Sequence, residues 1–202
     1  LAGFSVTHNT TVSHVYIHDT SAIDQSHTSE MTTDTLTADD TLQVWSHGYD
    51  AWGNWISLVN VDWSGTGALA GDVAPTTGSN TTTLTAELVG TGTFSADHAT
   101  ATDDTTGTIT ITPGAAAAWS VDWTSATSPV TAGVDFGITI TAHDADGNVA
   151  TGFTGSQSVN YGWTSATTAP DGSTVPKKPT DGNFTFSAGV YTSPASAFAL
   201  YN

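Results

Sequence analysis

Two short acidic turns are the first candidates for chemistry in this sequence. Residues 50–54 read DAWGN and residues 144–148 read DADGN, and the second begins like the Asp-x-Asp-Gly loop that binds calcium. That loop needs a Glu at its twelfth position, where this chain has Gly155. A hairpin turn built with Asp and Asn explains both copies better. The sequence therefore predicts no cofactor, with weak calcium candidates at Asp50, Asp144, Asp146 and Asn148.

Histidines offer a second possible metal chemistry. The chain has seven His, and His14 and His18 would lie on one face of a strand, roughly 13 Å apart by strand rise. That separation is too large for both to bind one metal ion. The sequence contains neither a His-x-His pair nor an HExxH motif. We therefore expect the histidines to be exposed polar residues.

The seven Trp suggest a binding surface for sugars, since flat aromatic rings stack on them. Trp45, Trp52 and Trp55 lie at a predicted strand and its turn, whereas Trp119 and Trp163 fall where core residues are expected. Large aromatic side chains dominate the energetics of cores and interfaces. Packing in a core or between subunits is therefore favoured, and glycan binding remains the alternative.

Modification and catalysis have weaker signals. Asn9, Asn80 and Asn183 each begin an Asn-x-Thr sequon and are candidate glycosylation sites, although a chain this rich in Ser and Thr produces sequons by chance. Lys177 and Lys178 lie in the sequence VPKKP, a predicted exposed loop. We find no nucleophile beside a recognisable base and no phosphate-binding glycine loop. The sequence does not predict an enzyme.

The charge of the chain is strongly one-sided. Nineteen acidic residues face two basic ones among 202 residues, which gives a formal net charge of −17. Nucleic acids and anionic membrane surfaces both need basic patches, so neither is expected as a partner. No stretch is long and apolar enough to insert into a membrane. The chain starts without Met or a signal-like segment, which favours an exported, processed protein on a prokaryotic cell surface or outside the cell.

The composition predicts an all-β fold. Thr, Ser, Val, Ile, Trp and Gly are frequent, the residues that usually fill helices are scarce, and we find no sustained helical period. The chain has no Cys, so disulfides are excluded. A core must therefore come from sheet packing alone.

Internal repetition predicts two domains. Residues 37–54 align without a gap with residues 131–148, and each copy is an alternating strand that runs into an Asp-Gly-Asn turn. VYIHDTSA at 15–22 likewise matches WSVDWTSA at 119–126. Two β-units joined near Pro113 predict tandem sandwiches.

The segment SPVTAGVDFGITITAHDADGNVATGFTG, residues 128–155, resembles the bacterial immunoglobulin-like repeat domains of invasin- and intimin-type surface proteins. Those domains combine a Thr-Ala-Gly start, an alternating strand and an Asp-x-x-Gly-Asn turn in this order. The resemblance is fainter in the first unit, where Trp residues replace the usual ones. It implies immunoglobulin-like sandwiches with a mechanical or adhesive role and no shared active site.

The order of strands suggests how such units could be completed. LAGFSVTHN, residues 1–9, has the Gly-led alternation of a closing strand, as does the segment around Ile109, whereas the second unit lacks an equivalent. We therefore expect residues 1–9 to close a neighbouring domain, residues 10–113 to form the first domain, and residues 114–202 to form an incomplete second one. The simpler alternative is an arbitrary boundary within a longer array.

These observations predict a structural function. The hypothesis is a subunit of an extracellular filament, pilus-like fibre or surface layer, in which copies join head-to-tail by strand donation. The donor face would present Leu1, Phe4 and Val6, and the acceptor groove would lie near Phe184, Phe186, Phe198 and Leu200. The alternative is an adhesin stalk or a glycan-binding module from a longer repeat protein.

Overall fold

The computed structural model describes residues 10–23, 29–124, 130–162 and 167–201. The chain divides into two compact units, Leu1–Thr112 and Pro113–Asn202. The described residues form strands and one short 3-10 helix, which confirms the all-β prediction. They include no helix with the length and hydropathy of a membrane span.

The described residues of the first unit form eleven strands and the 3-10 helix Gly67–Leu69. The strands are β1 (His14–His18), β2 (Asp34–Thr37), β3 (Thr41–Tyr49), β4 (Trp55–Leu58), β5 (Asp62–Gly65), β6 (Val73–Ala74), β7 (Thr81–Thr85), β8 (Gly90–Gly92), β9 (Phe94–Asp97), β10 (Asp104–Thr105) and β11 (Ile109–Thr112).

These strands form a sandwich around one core. One sheet has the order β1-β3-β7-β6, with β4 also pairing β3. The opposing strands are β10-β9-β5 and β2-β11-β8, and only Thr93 separates β8 from β9 along the chain. β11 runs parallel to β2, and the other strand pairs among the described residues of this unit are antiparallel. The two layers bury their inward side chains against each other, as in a β-sandwich.

The second unit has five strands in its described residues. They are β12 (Ala118–Trp123), β13 (Ile138–His143), β14 (Gly155–Val159), β15 (Gly182–Phe186) and β16 (Val190–Thr192). The three-stranded sheet has the order β12-β13-β16, and β14 pairs with β15. The core is smaller than that of the first unit, with the buried side chains Phe136, Ile138, Ile140, Phe186 and Phe198.

The two acidic turns of the sequence have the same geometry in both units. Asp50 and Asp144 are buried, at 0% and 1% exposure. Each carboxylate accepts the backbone N–H groups two and four residues later, at 2.8–3.2 Å. The side-chain amides of Asn54 and Asn148 donate to both carboxylate oxygens. The Gly of each motif has a φ of 82° or 87°, a conformation that favours glycine.

The second of these carboxylates also fixes the start of its unit. The backbone N–H of Gly114 donates to Asp144 Oδ2 at 3.0 Å. Burial acts to raise the pKa of Asp144, but the hydrogen bonds from Gly114, Asn148 and Asp146 outweigh it and hold the pKa below the usual value. The carboxylate is therefore an ionised anchor that ties the segment before β12 to the turn after β13.

Replacing Asp144 by Asn should destabilise the second unit by about 1.5–3 kcal/mol, because one accepting oxygen becomes an N–H donor that faces other donors. Asp146→Asn, at an exposed position of the same turn, is the matched control. Urea unfolding at neutral pH measures the difference. Equal free energies of unfolding for Asp144→Asn and wild type would contradict the anchor role.

The same carboxylate should make stability depend on acid. Because its folded pKa lies below that of the unfolded chain, ionised Asp144 stabilises the fold above the ordinary carboxyl pKa, about 3.9. That stabilisation is lost as the pH falls from there through the folded pKa. Unfolding between about pH 5 and pH 2 should therefore show a steeper loss for wild type than for Asp144→Asn.

Candidate functional site

The first unit carries a buried cluster of polar aromatic side chains. His18 and His47 are both 0% exposed, and their ring centroids lie 4.2 Å apart. The indole N–H of Trp55 donates to His47 Nδ1 at 3.1 Å, so His47 Nε2 carries the proton that it shares with the carbonyl of Thr20 at 2.8 Å. Tyr49 Oη lies 3.2 Å from His18 Nε2. These contacts hold both imidazole rings in fixed orientations, which indicates a structural role for the cluster.

The prediction of exposed histidines is therefore wrong for His18 and His47. Described residues that follow β1 contact both rings on the outer side of the sheet: the Thr20 carbonyl accepts from His47, and Ser29 Oγ lies 2.9 Å from His18 Nδ1. The available sequence signal was the alternation of His and Tyr on two strands that pair, His14-x-Tyr16-x-His18 and His47-x-Tyr49. Such alternation marks one shared face.

An open apolar groove lies in the second unit between strands β12 and β13 on one side and β14 on the other. Its volume is about 500 Å³. The apolar lining is contributed by Trp119, Val121, Ile138, Ile140, Phe153, Val159 and Phe186. The remaining lining residues are uncharged as well. The groove can therefore accept an uncharged, largely apolar occupant.

One wall of this groove is formed by the core-facing side of β12. Trp119, Val121 and Trp123 alternate along the strand, so they share a face, yet they are 52%, 61% and 48% exposed. Trp119 contacts the rings of Phe153 and Phe186 edge-on, with centroids 4.9 and 5.6 Å apart. These contacts place the face toward the interior of the unit. Its apolar side chains are only half covered.

The equivalent strand of the first unit, β1, has the same face fully buried. In the repeat alignment, Val15 and Ile17 of β1 correspond to Trp119 and Val121, and they are 1% and 0% exposed. They share a core with Phe94 of β9 and with Ile109 and Ile111 of β11. Among the described residues of the second unit, no strand follows β16. By the repeat alignment, the groove borders the face of β12 that corresponds to the core face of β1.

Tyr161 is the one ionisable residue among the residues that line the groove. Its ring packs edge-on against Phe184 and Phe198, and its hydroxyl is buried. Burial, with smaller contributions from Tyr191 and Asp181, raises the pKa of Tyr161 to about 12. The phenol is therefore neutral at physiological pH, so the lining of the groove carries no charge.

The sequence-predicted interface residues fall into three groups. Leu1, Phe4 and Val6 lie outside the described residues. Of the predicted acceptor residues, Phe186 lines the groove and is also part of the core. Phe198 is buried in that core, Leu200 packs against it, and Phe184 lines a separate shallow depression with Tyr191. The groove thus depends mainly on β12–β14, which the sequence did not single out.

The remaining candidates are dispersed. Trp52 is 77% exposed on its turn, Trp119 is half-exposed where a core residue was expected, and Trp163 lies outside the described residues. Asn183 is exposed on β15 and Asn80 is half-buried, whereas Asn9 lies outside the described residues. Those sequons stay predictions.

The calcium hypothesis also stays a prediction. The carboxylates of Asp50 and Asp144 face N–H donors, which a cation would have to displace. Within the described part of the chain, no group of three or more His, Asp or Glu side chains is arranged to hold a metal ion. The geometry supports the hairpin interpretation of both turns.

No family model and no curated protein matches this chain. Among solved structures it is similar to the Escherichia coli adhesin FdeC, with 22% identity, 95% of this chain and 56% of that chain covered, and a TM-score of 0.44. It is also similar to the Yersinia pseudotuberculosis adhesin InvE, with 19% identity, coverage of 78% and 47%, and a TM-score of 0.36. Both are bacterial adhesins, and the chain spans about half the length of each.

Proposed function

We propose that this chain is a structural subunit of an extracellular filament, pilus-like fibre or surface layer, whose copies join head-to-tail by β-strand donation. The groove of the second unit is the acceptor, and Leu1–Asn9 of the next copy is the donor. The observation that carries this proposal is the half-exposed inner face of β12, beside the fully buried equivalent face of β1.

Covering that face supplies a driving force for association. Burying a large apolar side chain contributes about 1.5–3 kcal/mol, and Trp119, Val121 and Trp123 are each about half exposed. An added strand also gains backbone hydrogen bonds along the edge that it pairs with. Together these terms offset the loss of translational and rotational freedom on binding.

Charge supports the choice of donor. Copies with a net charge of −17 repel one another, so a contact between them must avoid bringing carboxylates together. The segment LAGFSVTHN contains no Asp, Glu, Lys or Arg, and the lining of the groove is uncharged. Donor and acceptor are thus the uncharged parts of a strongly acidic molecule, whose remaining surface stays hydrated outside the cell.

Two matched substitutions test whether the inner face of β12 is open in the free chain. Val15→Thr places a hydroxyl in a closed core and should cost about 1–3 kcal/mol. Val121→Thr, at 61% exposure, should change the stability of the monomer by less than about 0.5 kcal/mol but weaken association. Urea unfolding of dilute monomer and sedimentation at high concentration measure the two effects. An equal stability loss for both variants would show that the groove is closed in solution.

The donor segment is tested by placing charge on one face of it and then on the other. Phe4→Asp with Val6→Asp should abolish head-to-tail assembly, because two carboxylates would enter an apolar groove. Ser5→Asp with Thr7→Asp adds the same charge to the opposite face and should leave assembly largely intact. Negative-stain electron microscopy and sedimentation velocity at about 1 M salt, where repulsion is screened, give the comparison.

The outcomes of the donor experiment separate the two functional hypotheses. Fibres formed by wild type and by the Ser5/Thr7 variant, but not by the Phe4/Val6 variant, support the filament. A wild-type chain that stays monomeric at all concentrations would reject donation between copies. The groove would then be completed by a neighbouring repeat of a longer chain, as in an adhesin stalk.

A further inference from the structure

The proposed strand donation does not specify where in the second unit the donor strand pairs. Two positions are considered, one equivalent to β9 and one equivalent to β11 of the first unit. Extending the repeat alignment places β14 at the position of β5, with residues 156–159 equivalent to residues 62–65. The alignment holds in the structure, since the bridge between His143 and Val149 repeats the pair Tyr49 and Trp55. The choice of position rests on the proposed function, because it specifies the partner of the same groove.

In the first unit, β5 uses both of its edges. The N–H groups of Val61 and Trp63 point to Ser79 and Thr76 on one side, at 3.1 and 2.7 Å. The other edge pairs with β9. Along a strand, the backbone N–H groups of alternate residues point to the same edge. The N–H groups of odd-numbered residues in this segment therefore point to residues 76–79, and those of even-numbered residues point to β9.

The same parity identifies the open edge of β14. The N–H of Tyr161 points to the carboxylate of Asp181, next to the start of β15, at 2.8 Å. Odd-numbered residues of this segment therefore face β15, as their equivalents in the first unit face residues 76–79. The edge of β14 that corresponds to the β9 side of β5 has no strand beside it among the described residues. This edge borders the groove, which Ser158 and Val159 line.

The donor segment has the sequence of a strand that fits this edge. Residues 4–8 read FSVTH, and residues 94–98, which form β9 and the residue after it, read FSADH. Phe, Ser and His coincide at three of the five positions. In β9, Phe94 and Ala96 are fully buried, and the intervening Ser95 points to the outer face. Phe4 and Val6 repeat this apolar alternation.

We propose that residues 1–9 of a second copy pair antiparallel with the open edge of β14, in the place of β9 and not in that of the closing strand β11. The register of β9 on β5 sets Ser64 opposite Ser95 and Gly65 opposite Phe94. Transferred to the second unit, it sets Ser5 opposite Ser158 and Phe4 opposite Val159.

This position explains the shape of the groove. Phe94 shares a core with Val15 and Ile17 in the first unit, so Phe4 in the same place lies against their equivalents, Trp119 and Val121. Val6 occupies the place of Ala96, opposite Gln157, and its larger side chain fills space that Trp63 occupies in the first unit. The donated strand thus supplies apolar side chains to the core of the second unit and backbone hydrogen bonds to the edge of β14.

Because the chain contains no Cys, disulfide trapping reports this register directly. Full-length Ser5→Cys and Ser158→Cys chains are mixed, oxidised and separated on a non-reducing gel. Residues directly opposite in neighbouring strands meet the geometry of a disulfide, so a linked heterodimer is expected. The control mixture is Thr7→Cys with Thr131→Cys. If the donor took the β11 place with Phe4 and Val6 at the positions of Ile109 and Ile111, Thr7 would replace Thr112, which pairs with Thr37, the equivalent of Thr131.

Each result has one meaning. Linkage of Ser5→Cys to Ser158→Cys without linkage in the control supports the β14 edge. Linkage in the control mixture alone would reject pairing with the β14 edge but would still support strand donation. Assembled fibres with neither linkage would reject that pairing as well, whereas chains that neither assemble nor link would overturn both the register and the proposed function.

Discussion

A β-sandwich depends on one constraint, which is that each apolar sheet face needs a second sheet to cover it. The first unit meets this constraint within itself, since Val15 and Ile17 of β1 are buried beneath Phe94 and the two Ile of β11. The second unit repeats β1 as β12 and has Trp119 and Val121 in the places of Val15 and Ile17, but leaves them half exposed. The groove is the open space beside this face of β12.

Electrostatics then decides what can fill the groove. A chain with two basic and nineteen acidic residues cannot form an interface from complementary charges between copies. Attraction must come from apolar contact and from backbone hydrogen bonds, neither of which depends on side-chain charge. A strand added to a sheet edge supplies both.

The sequence predicted the positions of the strands better than the burial of the side chains on them. The repeat alignment identified β1 with β12 and the two Asp turns with each other, because alternation and turn residues are local signals. Alternation shows which side chains share a face but not whether that face is covered. For this reason Trp119 was expected in a core, and the buried His18 and His47 were expected outside. Phe198 was assigned to the groove, yet its backbone pairs with Phe136 and its ring fills the core.

The position of the donor also determines the kind of assembly that can form. A strand that precedes the first unit of one copy and fills the second unit of another joins two different surfaces, so the contact is heterologous. Such a contact does not close on itself, and each added copy presents a new open groove. In the proposed position the donor pairs with β14, on which Ser158 is exposed and Val159 is half-buried. A slip by one residue would turn Phe4 and Val6 to solvent, so the apolar face specifies the register and thereby a uniform repeat along the assembly.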